Sequence, residues 1–177
     1  PMPVRASLEG MFPPVRAKLR AAGIDTNAFI MDQNIVQLDR NAFRNKSLNP
    51  DSLLAFFASI ARKEFGVARV DRFRDLLTNA TRDPIARRWA HQFPADVNIE
   101  MLITLTPMST WGGNVASHGS PYDYDSHVPL IFSGFGVKAG KYPEFVRTVD
   151  IAPTLAALAG VKPAEAIDGV ALKDAIR

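Results

Sequence analysis

The sequence predicts an α/β fold over residues 81–177, preceded by a small α+β lobe over residues 1–80. Three observations carry this. Two mostly apolar runs, 97–105 and 128–132, are bounded by turn residues like strands buried on both faces. A helix pattern follows the second run, and strand, loop, strand, helix is the signature of part of an α/β sheet. Upstream, the order helix, hairpin, helix, strand suits a small sheet covered by helices on one face.

The elements follow in order. Pro13-Pro14, then Val15, Leu19 and Ala22, then Gly23, predict a helix with proline in its first turn and glycine past its end. Residues 27–31 and 35–38, rich in Ile, Val, Phe and Met around Asp32-Gln33-Asn34, read as a hairpin. Asn49-Pro50-Asp51 opens a second helix with a cap, a proline at the first position and an acid near the positive end. Leu53, Leu54, Phe57, Ile60 and Ala61 share one face of it, and Gly66 ends it. Residues 67–70 read as a strand leading into a polar stretch. Asp83-Pro84 starts a third helix with Ile85, Trp89 and Phe93 at fourfold spacing and Arg87-Arg88 off that face. Asp150 reads as the N-cap of a last helix running through Leu155 and Leu158 to Gly160, and the chain closes on Asp168-Gly169 and a weak helical tail.

Bulk properties exclude several classes. The 177 residues are 47% apolar, ample for a packed core. The 21 basic and 18 acidic residues give a net charge of +3 without a run of like charges, so nucleic acid is not indicated as a partner. No stretch approaches the roughly 18 apolar residues of a membrane helix, so no membrane partner is expected. With no cysteine, a bound metal must use His, Asp, Glu or backbone ligands. Pro1-Met2-Pro3 offers neither a basic n-region nor an apolar h-region, which fits a cytoplasmic protein or a sequence beginning inside a larger precursor.

The 107–127 loop is far longer than the median of roughly five residues. Within ten residues it offers His118, Asp123, Asp125 and His127, all able to bind a divalent cation. Spacing alone favours the plainer reading, a hydrogen-bonded loop with a solvated histidine, because loops are rich in Asp and Gly anyway. A local metal site from these four residues stays open.

The run Ser117-His118-Gly119-Ser120-Pro121-Tyr122-Asp123-Tyr124-Asp125, followed by His127-Val128-Pro129-Leu130-Ile131-Phe132, resembles the C-terminal metal-binding segment of alkaline phosphatases of the phosphate-irrepressible type. Arg147-Thr148-Val149-Asp150-Ile151-Ala152-Pro153-Thr154-Leu155, with Asp168-Gly169 later, is similar to the stretch that follows in that family. It is similar also, more broadly, to that of sulfatases, type I phosphodiesterases and nucleotide pyrophosphatases. Asp83-Pro84-Ile85 with Arg87-Arg88 resembles the segment before the last core strand.

The resemblance implies that residues 81–177 are part of an alkaline-phosphatase-like sheet with flanking helices. It implies that His118 is a zinc ligand, the last along the chain. It also implies a parent hydrolase, periplasmic or secreted, acting on phosphate esters through a phosphoryl-enzyme. Such enzymes use two zinc ions about 4 Å apart, one activating a Ser or Thr nucleophile and one stabilising the leaving oxygen. The nucleophile, the Asp-x-x-x-His pair and the Asp-His-Gly motif of that family have no match here. His91 lies between Ala90 and Gln92, and Ser117 precedes His118. The chain is therefore expected to be a C-terminal fragment, inactive alone, with zinc absent or partial. Lost neighbouring strands would leave edges exposed, so self-association or partial disorder of the 107–127 loop is expected.

Among the remaining residues, Asp123 and Asp125 read as loop caps in preference to acids orienting His118. His127 reads as a structural hydrogen-bonding group. Trp89 reads as core, and Trp111 either packs under the loop or lines a substrate entrance. Arg87 and Arg88 could grip phosphate, but two arginines on a helix face are more often solvated or ion-paired. The competing functional readings are a non-catalytic module binding an anionic partner, and a related phosphodiesterase or sulfatase.

Overall fold

In the computed structural model the described residues are 4–94, 96–113 and 116–177. The tripeptide Pro1-Met2-Pro3 and the Asn114-Val115 part of the 107–127 loop lie outside them, and so do the expectations attached to them. The chain forms two compact units, residues 1–127 and 128–177. This division does not coincide with the boundary expected at 80/81. A strand at residues 101–105 pairs with strands from the first 80 residues, so the sheet crosses that point.

In the first unit, strand β1 (Val4–Ala6) precedes helix α1 (Phe12–Ala21), which has proline in its first turn and buries Val15 and Leu19. Strands β2 (Phe29–Asp32) and β3 (Ile35–Leu38) form the expected antiparallel hairpin, turning at Gln33, whose φ is 48°. Helix α2 (Pro50–Ala61) is capped by Asn49, whose side-chain oxygen accepts from the Asp51 and Ser52 amides at 2.9 and 3.1 Å. Strand β4 (Val67–Arg72) runs straight into helix α3 (Phe73–Asn79). The sequence reads this last stretch as polar, but Phe73 and Leu76, three apart, bury one face and make it a helix. Helix α4 (Pro84–Gln92) is capped by Asp83 as expected.

Strand β5 (Met101–Leu105) sits inside the sheet, whose order is β2-β3-β5-β4. All five of its residues are buried. Met101, Ile103 and Leu105 enter the core that holds Val15 and Leu19 of α1 and Leu53, Leu54 and Phe57 of α2. Leu102 enters a second core with Phe73, Leu76 and Trp89 from α3 and α4. Thr104, on the same face as Leu102, is fully buried and accepts from the Trp89 indole N–H at 2.8 Å. The continuous apolar run thus arises from helices on both faces, as expected, but the neighbours are antiparallel. A parallel pair completes the unit, joining β1 to strand β6 (Ser109–Trp111), which the sequence reads as loop. Four charges brace the β5 entrance: Arg40 pairs with Glu100 and, at 3.0 Å, with Asp51, while Arg72 reaches Asp51 at 2.7 Å and Glu100 at 3.3 Å.

The second unit has little regular structure. Residues 128–132 are not the expected buried strand: Val128 is 57% and Ile131 82% exposed, and no described strand pairs with them. Leu130 and Phe132 are only half-buried, and Pro129 has no N–H to give a ladder. Helix α6 (Ile151–Leu158) forms. Asp150 is not its side-chain cap, contrary to expectation. The buried Asp150 carboxylate instead accepts from the amides of Val170 at 2.9 Å and Arg147 at 2.8 Å, and from the Arg147 guanidinium at 3.4 Å. The Val170 amide and then the Arg147 amide hold its pKa below the usual carboxylate range. Thr154 Oγ1 donates to the Asp150 carbonyl at 2.6 Å and accepts from the Leu172 amide at 3.0 Å. Gly169 lies so close to this turn that a Cβ there would stand 2.0 Å from the Val149 carbonyl oxygen. The Asp168-Gly169 pair is therefore set by a close backbone approach.

Two outcomes follow for stability. Leu102→Ala empties a fully buried site in the second core and is expected to lower unfolding free energy by about 3 kcal/mol in urea titration. Asp51 is held at about 2, from an ordinary 3.8, by hydrogen bonds from Arg40 and then Arg72. A carboxylate with depressed pKa contributes stability above its unfolded pKa and loses it as pH falls through the folded value. The stability gap between wild type and Asp51→Asn is therefore expected to be present at pH 7 and to close between pH 3.8 and about 2. A gap independent of pH would show that the pairing contributes nothing.

Candidate functional site

The segment from Leu105 to His127 leaves β5, forms β6, and returns through His118 to a short helix α5 (Asp123–Ser126). Its return arm is pinned at several points. The Tyr122 hydroxyl donates to the Leu105 carbonyl at 2.6 Å, fixing the arm to the end of β5. Burial, and then neighbouring Tyr124, push the Tyr122 phenol pKa up, which keeps it a donor at neutral pH. Tyr124 stacks on Tyr122 with ring centroids 5.7 Å apart, and its hydroxyl accepts from the Met108 amide at 2.9 Å. Arg88 of α4 donates to the Pro121 carbonyl at 2.6 Å and to the Asp123 carboxylate. Asp125 Oδ2 accepts from the Ser120 amide at 2.6 Å.

Asp123 and Asp125 take up loop and arginine donors. Arg88 is paired, with its fork on the loop. His127 closes α5, its amide donating to the Asp123 carbonyl at 2.8 Å. Trp89 is core at 1% exposure. Trp111 is 7% exposed, its indole N–H donates to Asn34 Oδ1 at 3.2 Å, and it lines a cleft. Asn34 escapes sequence reading, which sees only a turn residue. Its side chain also donates to the Ile103 carbonyl at 2.5 Å, so it joins the hairpin tip to β5 and β6 across 69 and 77 residues, and no local pattern signals that.

His118 is exposed and lines the same cleft, of about 370 Å³, with the polar Ser117, Ser120, Asp125 and Thr110. Trp111, Met108, Leu105 and Tyr124 are among its other lining residues. Met108 has φ 61°, a left-handed conformation that non-glycine residues rarely adopt. Among the described residues no group of three or more His, Asp or Glu side chains converges to hold an ion. The four-residue local site is therefore not assembled. An imidazole on a pinned loop suits one position of a zinc site, and the residues present fit one ligand, not a complete set.

The class defined by fold comes first. Over 99% of this chain and 34% of the other, the structure matches that of wild-type alkaline phosphatase PafA with a TM-score of 0.77 at 24% identity, so the mixed α/β arrangement is that of an alkaline phosphatase. No family model matches the chain. Among individual proteins, alkaline phosphatase PafA of Elizabethkingia meningoseptica is 26% identical over 160 residues, 89% of this chain and 29% of that protein. A Myroides odoratus protein named calcium-transporting ATPase is 26% identical over 144 residues, 80% of this chain and 26% of that protein. Alkaline phosphatase PhoK of a Sphingomonas species is 48% identical over 58 residues, 32% of this chain and 10% of that protein. The chain is similar to parts of alkaline phosphatases, and it spans less than a third of the length of these relatives.

Arg88→Ala is expected to speed amide exchange of residues 125–127 by about tenfold while leaving β5 amides protected, the size of one net hydrogen bond. Global stability should fall by no more than ~1 kcal/mol, because Asp123 is 87% exposed. Unchanged exchange would show that Arg88 does not hold the loop.

Proposed function

We propose that this chain is the part of a zinc-dependent phosphate-ester hydrolase that contributes one zinc ligand, His118, to an active site completed by residues outside the chain. The observation that carries the reading is His118 itself, exposed at a cleft on a pinned loop, within a run resembling the metal-binding segment of alkaline phosphatases and in a chain whose homologues include several of them. The net reaction joins a water oxygen to phosphorus, breaks the phosphorus–ester oxygen bond and returns a proton to the alcohol. Zinc, when bound, supplies positive charge to the attacking and departing oxygens. His118 contributes its neutral imidazole as ligand, and the contacts of Tyr122, Tyr124 and Arg88 keep the loop from drifting. Phosphate monoesters are the proposed substrates, with diesters slower, in a periplasmic or secreted parent enzyme.

Zinc titration of this chain is expected to show weak binding, since one histidine cannot replace three or four ligands. His118→Ala should weaken it further by at least about tenfold. In an enzyme carrying this segment with its full ligand set, the same change should lower bound zinc; unchanged zinc content would overturn the ligand role. Added zinc should give these 177 residues no p-nitrophenyl phosphate turnover, and robust turnover would overturn the incomplete site.

A further inference from the structure

His118 lies between two backbone anchors and is much closer to one of them. Upstream, the Gly112 amide donates to the Ala6 carbonyl at 2.9 Å. Downstream, and only two residues past His118, the Ser120 amide donates to the Asp125 carboxylate at 2.6 Å. Among the described residues between these anchors no backbone amide is hydrogen-bonded, and the Ser117 hydroxyl reaches the His118 carbonyl at 3.5 Å, a weak contact. The geometry points to Asp125 as the positioning residue for His118: its carboxylate fixes the peptide plane beside the histidine without itself being a zinc ligand. The inference rests on the zinc role of His118 in the reading above.

Gly119 is what gives this bond its leverage. It stands at φ 92°, where glycine alone moves freely, and nothing lies within 4 Å of the place its Cβ would take. Neither a side chain nor packing limits its rotation. The Ser120 amide belongs to the planar unit joining Gly119 to Ser120, so fixing that N–H fixes the ψ of Gly119 and the direction in which His118 leaves the turn. Past Ser120 the chain is already stiff, because a residue before proline is confined to extended conformations and Arg88 holds the Pro121 carbonyl at 2.6 Å. The anchor is itself anchored. The Asp125 amide donates to the Tyr122 carbonyl at 3.0 Å, and the Tyr122 hydroxyl is tied to the end of β5. Hydrogen bonds thus run from the buried strand through Tyr122 and Asp125 to the amide two residues past His118. Asp125 is half-buried, and a charged acceptor makes this bond stronger than a neutral one would.

The test uses the chain itself, with nuclear magnetic resonance relaxation and zinc titration of Asp125→Ala, Asp125→Asn and His118→Ala. Without zinc, Asp125→Ala is expected to lower the backbone order parameters of His118 and Gly119 below about 0.6, the flexible range, while β5 keeps its own. Asp125→Asn, whose carboxamide oxygen still accepts from Ser120, should hold them near wild type. Zinc binding should weaken about fivefold in Asp125→Ala, the size of one net hydrogen bond, and recover to within about twofold in Asp125→Asn. Combined with His118→Ala, the change Asp125→Ala should weaken zinc no further, since it acts through the histidine. A wild-type His118 already in the flexible range, or order parameters unchanged in Asp125→Ala, would overturn the positioning role. Equal loss of zinc in the Ala and Asn variants with the loop still ordered would make Asp125 a ligand and overturn it as well. Zinc binding indifferent to His118→Ala, with order lost in Asp125→Ala, would remove the zinc role of His118 and leave the positioning of the loop standing.

Discussion

The first unit depends on β5 being buried on both faces at once. A strand has one side chain per face per pair of residues, so a five-residue strand with no exposed position commits every residue to a core. Odd residues close the core over α1 and α2, and even residues meet α3 and α4. No single layer is complete without it. Thr104 is the polar exception, and its only hydroxyl satisfies the only N–H of Trp89, so a hydrophobic helix face accepts a hydrogen-bonding residue without loss.

That strand also explains where the loop sits. Leu105 ends β5 and offers its carbonyl to Tyr122, and Asn34 reads the Ile103 carbonyl while holding Trp111. The return arm, the aromatic wall and the histidine are thus referenced to one rigid element through backbone groups. Side chains on loops gain definition from such anchoring, where a long loop by itself would fix nothing.

Much of this architecture is legible in local chemistry. Asn49 and Asp83 are caps because their side chains can reach the amides two and three residues on, and the proline that follows each needs no N–H partner. The hairpin and the burial of Trp89 are likewise readable from spacing. What local pattern misses is set by partners distant in sequence. Residues 128–132 have the composition of a buried strand, yet Val128 and Ile131 remain exposed, because burial depends on neighbours that composition does not contain. Asp150 has the position of a cap, but Val170, twenty residues away, draws its carboxylate elsewhere. Arg88 reads as solvated or ion-paired, and it is ion-paired, but spacing does not name Asp123 and Pro121 as its partners. His118 is the reverse case: spacing argues against it, and only the surrounding motif gives it chemical meaning.

The central placement of β5 has a consequence in time. Its partner strand β3 ends at Leu38 and helix α2 at Ala61, whereas β5 ends at Leu105. During synthesis at about 5–20 residues per second, β3 waits roughly three to thirteen seconds, and α2 roughly two to nine, for the strand that closes their core. For that interval the hairpin presents an unpaired β3 edge and an uncovered apolar face, the combination most prone to pairing with another chain. The fold that is best shielded when complete is the one most dependent on protection while it is being made.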